Sequence, residues 1–156
     1  MQASGFQDTK AQVGVDSAAA RSSYGWEHQR RISMKYLCFI RHSETYREST
    51  PPPALMQAMG DFVQQSMKDG TLVDTGGLLP SKDGVRVRLE HGRITVTDGP
   101  FIDSKEIIGG WAILKADSKA EAIRIATEFM ELHRKHWLGF DGESEVRPMF
   151  EPGMGP

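Results

Sequence analysis

A chain of 156 residues is about one domain long and can bury roughly two thirds of the surface its unfolded form exposes, so no disulfide staple is required. With 38% hydrophobic and 26% charged residues, the composition speaks against wholesale disorder and against a membrane protein. A formal net charge of -2, without any Lys/Arg run, leaves no basic field for nucleic acid.

Residues 1–33, "MQASGFQDTKAQVGVDSAAARSSYGWEHQRRIS", hold few apolar side chains and no sustained period, and read as a disordered or extended N-terminal tail. Asp16 and the Ala18-Ala19-Ala20-Arg21 stretch interrupt any apolar core of a secretory signal, which points to the cytoplasm. Met34 stands immediately before the first strand, so an upstream start codon or an added extension accounts for the tail. The lone Cys38 cannot form an internal disulfide and lies in the apolar run "YLCFI". It reads as a small buried hydrophobe in a reduced interior, since no His or cation beside it on the strand face lowers its pKa.

From Lys35, "KYLCFIRH" alternates Tyr36, Cys38 and Ile40 on one face with Leu37 and Phe39 on the other. Both faces are apolar, so the strand must be covered twice. Thr50 as N-cap and Pro51 at the first helical position predict a helix whose core stripe is Leu55, Met59, Phe62, Val63 and Ser66, closed by Gly70. Met56, Met59 and Met67 read as packing rather than a cofactor box. A strand in "TLVDTGGLLP" follows, then "GVRVRLE" and "RITVT" joined through His91-Gly92, a two-residue hairpin turn. Val85, Val87 and Leu89 are expected to face in, with Arg86, Arg88 and Glu90 as a solvated face. "IIGGWAILKA" is a further strand whose Gly109-Gly110 pair implies a bulge or a close backbone approach. Ser118 and Glu121 have capping-box spacing, and Ala122, Ile125, Ala126, Phe129, His133 and His136 form the stripe of the helix they open. "SEVRPMF" is a last strand, confined by Pro148 to an edge or an end, and residues 151–156 are a C-terminal tail.

Strand, helix, strand, hairpin, strand, helix, strand is the order of an α+β, ferredoxin-like split βαβ domain with one added hairpin, spanning residues 34–150. Two helices cover only one face of such a sheet. A second copy covering the other is the economical solution, so a homodimer is expected.

Between two of these strands lies "VTDGPFIDSKEIIGGW". Asp98 can bond the backbone of the residues after it, Gly99 accepts unusual torsions, and Pro100 fixes the exit, so the loop is stiff. Here the chain resembles the YCII-related family, in its DGPF-domain branch, through Asp98, Gly99, Pro100 and Phe101 and then "DSKEIIGGW". The resemblance extends to "GGLLPS" upstream, to "SKAEAIRIA" downstream and to the terminal "EVRP", covering roughly Met34 to Phe150. It implies a dimeric α+β barrel of ferredoxin-like subunits with a pocket in each subunit's cleft. It also implies acid–base chemistry by a His and Asp pair, the His on the first helix. The predicted first helix, "PPPALMQAMGDFVQQSMKDG", contains no His, and the acidic member's counterpart is Asp98.

Asp98, Asp103, Lys105 and Glu106 crowd this loop, either as a solvated rim or as a site. In a site, Asp98 or Glu106 serves as general base, Lys105 lowers a neighbouring carboxylate's pKa or holds an anionic substrate, and Phe101 and Trp111 supply an apolar wall. Replacing Glu106 by Gln is then expected to weaken ligand binding. His42 ends the first strand on the Tyr36-Cys38-Ile40 face and is either an acid–base residue of a cleft or a strand-end histidine with a satisfied hydrogen bond. His133 and His136 share a helix side, but two ligands do not make a metal site, and none is expected. P-loop, dinucleotide fingerprint and nucleophile elbow are all missing, so no cofactor is expected. The leading expectation is a cofactor-free enzyme or enzyme-like binder of a small organic molecule. The alternative, encouraged because DGPF-type proteins are often encoded beside extracytoplasmic-function sigma factors, is a non-catalytic ligand-binding or regulatory dimer.

Overall fold

The computed structural model describes residues 33–47, 50–101 and 106–152. The expected tails therefore lie outside the described residues, apart from Ser33, Glu151 and Pro152. The elements run β1 (Met34–His42), α1 (Pro53–Lys68), β2 (Leu72–Gly77), β3 (Val85–Glu90), β4 (Arg93–Asp98), β5 (Ile107–Ala116), α2 (Lys119–His136) and β6 (Gly142–Pro148). One-turn 3-10 helices occupy Glu44–Arg47 and Ser81–Asp83. Four strands form one sheet in the order β2-β5-β1-β6, every neighbouring pair antiparallel, while β3 and β4 form a separate two-stranded sheet. The fold is α+β.

Strand β1 is central because both its faces are apolar. Its register sets Tyr36 opposite Leu114 and Cys38 opposite Ala112, and this side packs against the helices in a core with Ala122, Ile125, Phe62 and Val63. The alternate residues, Leu37 opposite Ile113 and Phe39 opposite Trp111, project from the other side of the sheet and are half-buried. The expected bulge lies in β5: Ile40 pairs with Gly110 and Arg41 with Ile108, which passes over Gly109, whose carbonyl accepts from the Leu78 N–H at 2.9 Å. Strand β6 is an edge strand and ends on Pro148.

Helix α1 begins two residues later than Thr50 and Pro51 suggest. Its N-cap is Pro52, in an extended conformation without a side-chain cap bond. The cause is the run of three prolines, since the residue before a proline is driven out of the helical region, which holds residues 50 to 52 extended. Gly70 closes the helix in the left-handed region (φ 76°), with Thr71 N–H donating to Ser66 and Gly70 N–H to Met67. Met56 and Met67 are exposed rather than packed, because only one stripe of α1 meets the sheet. In α2, the Ser118 hydroxyl accepts from Glu121 N–H at 3.1 Å, while the Glu121 carboxylate accepts from Asp117 N–H at 2.8 Å.

His91 and Gly92, both at positive φ, make the expected two-residue turn. The expected burial of that hairpin is corrected. Val87 and Leu89 are 67% and 71% exposed, because among the described residues the hairpin pairs with no strand of the main sheet and no helix covers it. Arg86, expected in solvent, is the half-buried member of β3, its guanidinium lying 4.0 Å from the centre of the Phe101 ring.

Candidate functional site

Small side chains on the helix-facing side of the sheet leave room beneath α1 and α2. Cys38, Gly110 and Ala112 on the strands and Ala126 on α2 fill little of that layer. The result is a cavity of about 600 Å³, within the range of small-molecule pockets. Leu55 and Phe62 of α1, Phe129 of α2 and Ile40 of β1 give it apolar walls. Among the described residues no Lys, Arg, Asp or Glu borders it. Cys38 also borders it; burial pushes its thiol up to about 11, so it stays protonated and inert.

One end of the cavity is aromatic. Tyr46 lies 5.7 Å edge-on from Trp137 and 5.0 Å from Phe140, while His133 lies 4.9 Å from Phe140. The Tyr46 hydroxyl donates to the Gly139 carbonyl at 2.9 Å and accepts from Asp141 N–H at 2.8 Å, which ties the turn after β1 to the segment after α2.

Two buried histidines stand at this end, His42 from β1 and His133 from α2. The Nδ1 of His42 lies 2.7 Å from the Ser43 carbonyl, and the Nδ1 of His133 lies 3.1 Å from the Phe129 carbonyl. A carbonyl can only accept, so in both rings Nδ1 carries the hydrogen and donates. Burial holds the His133 pKa below its usual value, opposed by the Phe129 hydrogen bond and assisted by the charge of His42. His133 is therefore a neutral imidazole whose Nε2 is an acceptor.

The model of the YCII-related domain matches residues 34–130. The chain belongs to the YCII-related domain family. No curated protein matches it. In this YCII-related domain, helix α1 carries no histidine; the cavity receives its imidazoles from the end of β1 and from α2 instead.

The segment Asp98-Gly99-Pro100-Phe101 forms a shoulder clamped onto Ser81. Gly99 lies against the Ser81 carbonyl, and its N–H donates to Gly84 at 2.9 Å. The peptide between Gly99 and Pro100 is cis. Phe101 N–H donates to the Ser81 hydroxyl at 3.2 Å, and Ser81 N–H donates to the Glu44 carboxylate at 3.0 Å. The "GGLLPS" and "DGPF" stretches of the sequence thus meet at one serine.

Of the residues singled out in the sequence, His42 and Trp111 border the cavity, Trp111 with its indole packed across the strand over Gly76. Phe101 and Glu106 border a second, shallower depression beside Arg86. The Glu106 carboxylate lies 2.8 Å from the Arg41 guanidinium, which Glu143 and Glu145 also approach, at 3.3 and 3.4 Å. Asp98 is exposed at the end of β4, and its carboxylate forms no hydrogen bond among the described residues. Lys105 and Asp103 lie outside the described residues. The loop and His42 are thus in different places: β1 alternates, so Arg41 with its carboxylates projects from the side of the sheet opposite His42. Sequence reasoning placed His133 on the core stripe of α2 and passed over Tyr46, Glu44 and Ser81, whose roles depend on partners 20 to 95 positions away. Among the described residues, no group of three or more His, Cys, Asp or Glu side chains is placed to hold a metal ion. No helix among them is long and apolar enough to cross a membrane.

Proposed function

We propose that this YCII-related domain, of the DGPF type by its Asp98-Gly99-Pro100-Phe101 segment, is a cofactor-free enzyme or enzyme-like binder that takes a small organic molecule into the cavity between the sheet and its helices. The observation that carries this is His42, buried in an apolar cavity of about 600 Å³, with its Nδ1 held by the Ser43 carbonyl. An imidazole fixed through one nitrogen presents the other for proton transfer in a defined orientation. The chemistry is assigned to His42 in preference to Asp98 or Glu106, which do not border that cavity.

The strand order β2-β5-β1-β6 supports a ferredoxin-like subunit. The half-buried row Leu37, Phe39, Trp111 and Ile113, on the sheet side that the helices leave, supports a homodimer with α+β barrel architecture. The buried, protonated Cys38 thiol supports a reducing, cytoplasmic setting.

Filling the cavity tests the proposal. Ala126→Phe adds a ring where α2 borders it, and titration of the wild type and the variant with small aromatics, followed by intrinsic tryptophan fluorescence, should give saturable binding only for the wild type. Equal binding by a folded Ala126→Phe protein would move the site elsewhere.

A further inference from the structure

Resting on that reading of the cavity, we infer that its ligand is a neutral aromatic molecule bearing a hydroxyl hydrogen-bond donor, of the phenol class, whose O–H donates to the Nε2 atom of His42 or of His133. The inference comes from counting donors and acceptors. Both Nδ1 atoms donate to backbone carbonyls, at 2.7 Å from Ser43 O and 3.1 Å from Phe129 O. In its neutral form each ring therefore has its remaining nitrogen, Nε2, without a hydrogen and with a lone pair. Among the described residues neither Nε2 has a hydrogen-bond partner. Glu44 Oε2 is the one buried side-chain acceptor without a partner among the described residues, so both Nε2 atoms are reachable from the cavity. A ligand that displaces water from such an acceptor without supplying a donor loses a hydrogen bond, so a ligand that supplies one is selected.

The remaining polar groups of the lining agree. Thr75 donates its hydroxyl to the Trp111 carbonyl at 2.7 Å, and the Tyr46 hydroxyl is engaged on both sides. The side-chain donors left in the lining are neutral: the Thr50 hydroxyl, the Cys38 thiol and the indole N–H of Trp137. Among the described residues no Lys or Arg lines the cavity to neutralise a carboxylate or a phosphate, and burying an unpaired anion in an apolar cavity is strongly unfavourable. Phe62, Phe129, Trp137 and Phe140 offer ring faces and edges to a flat molecule.

Phenol, toluene and benzoate have nearly one shape and differ in the property at issue. At pH 8, binding of each to the full chain is measured by fluorescence titration, alongside nitrogen-15 spectra of the histidine rings. Phenol is expected to bind about tenfold more tightly than toluene, and benzoate more weakly than either. The free protein should show both rings as Nδ1–H tautomers, with the Nε2 resonance of the accepting ring shifting when phenol binds. His42→Phe and His133→Phe each keep an apolar ring in place; the one that removes the acceptor should abolish the preference for phenol over toluene, and a preference that survives in both would overturn the inference. Equal affinities for phenol and toluene, the tightest binding by benzoate, or an Nε2–H tautomer in either ring would overturn the inference and leave the cavity as a binding site. If none of the three binds, the proposed function falls as well.

Discussion

Gly99 lies so close to the Ser81 carbonyl that a Cβ at position 99 would overlap that oxygen. The glycine is therefore needed for contact. Its φ is not among the positive ones, so the torsional freedom read from the sequence is not what position 99 uses. Gly99→Ala must push the Ser81 backbone away and disturb the bonds that Ser81 makes with Phe101 and Glu44. The expected loss is about 1–3 kcal/mol in chemical denaturation, with the midpoint falling and the slope unchanged. An unaltered midpoint would show that the shoulder is not packed in this way.

Glu44 anchors the same shoulder with one oxygen while its other oxygen, Oε2, is buried without a hydrogen-bond partner. Glu44→Ala removes the acceptor for Ser81 N–H and should cost about 1–2 kcal/mol. Glu44→Gln keeps an acceptor and removes a partly desolvated charge, so its stability should lie within about 0.5 kcal/mol of the wild type or above it. Thermal unfolding of both variants checks the pair, and equal losses would contradict it.

His133 makes stability depend on pH. Burial lowers its folded pKa below 6.5, so the folded chain resists a proton that the unfolded chain accepts. The stability is complete above about pH 6.5 and is lost as pH falls through the lowered folded value. Unfolding midpoints should therefore drop between pH 7.5 and 5.5, and His133→Phe should flatten that slope. A slope that is unchanged in His133→Phe would show that His133 is not its source.

Arg41 retains Glu143 and Glu145 if Glu106 is replaced. Because the Arg41–Glu106 pair is largely exposed, Glu106→Gln should change stability by less than about 0.5 kcal/mol. It should also leave phenol binding unaltered, since the carboxylate is not part of the cavity. A fall in affinity with the fold intact would return the site to the loop.

The row Leu37, Phe39, Trp111 and Ile113 should be a dimer contact. Sedimentation at micromolar concentration is expected to show twice the chain mass for the wild type and one chain mass for Phe39→Arg, a charge placed in the middle of the row. A wild-type monomer would refute the homodimer.

Elements, turns and bulge were legible in the sequence because each is local. Alternation over "KYLCFI", the His91-Gly92 turn, the Gly109-Gly110 bulge and the Ser118–Glu121 cap all involve residues a few positions apart, where backbone sterics and near-neighbour hydrogen bonds decide the outcome. The start of α1 was missed for a local reason too, the extended conformation that consecutive prolines impose. The site was not local. His42 and His133 reach one cavity only because β1 and α2 pack together, and the volume between them exists because Cys38, Gly110, Ala112 and Ala126 are small at positions that only the sheet register and helix packing make neighbours. In the same way, "DGPF" reads as a stiff turn from its residues, but only tertiary contact decides what it closes on: Gly99 and Phe101 close on Ser81, and Glu106 turns to Arg41 on the opposite side of the sheet from His42. Chain order set which side chains were available, and the packing of the helices on the sheet decided which of them face one another.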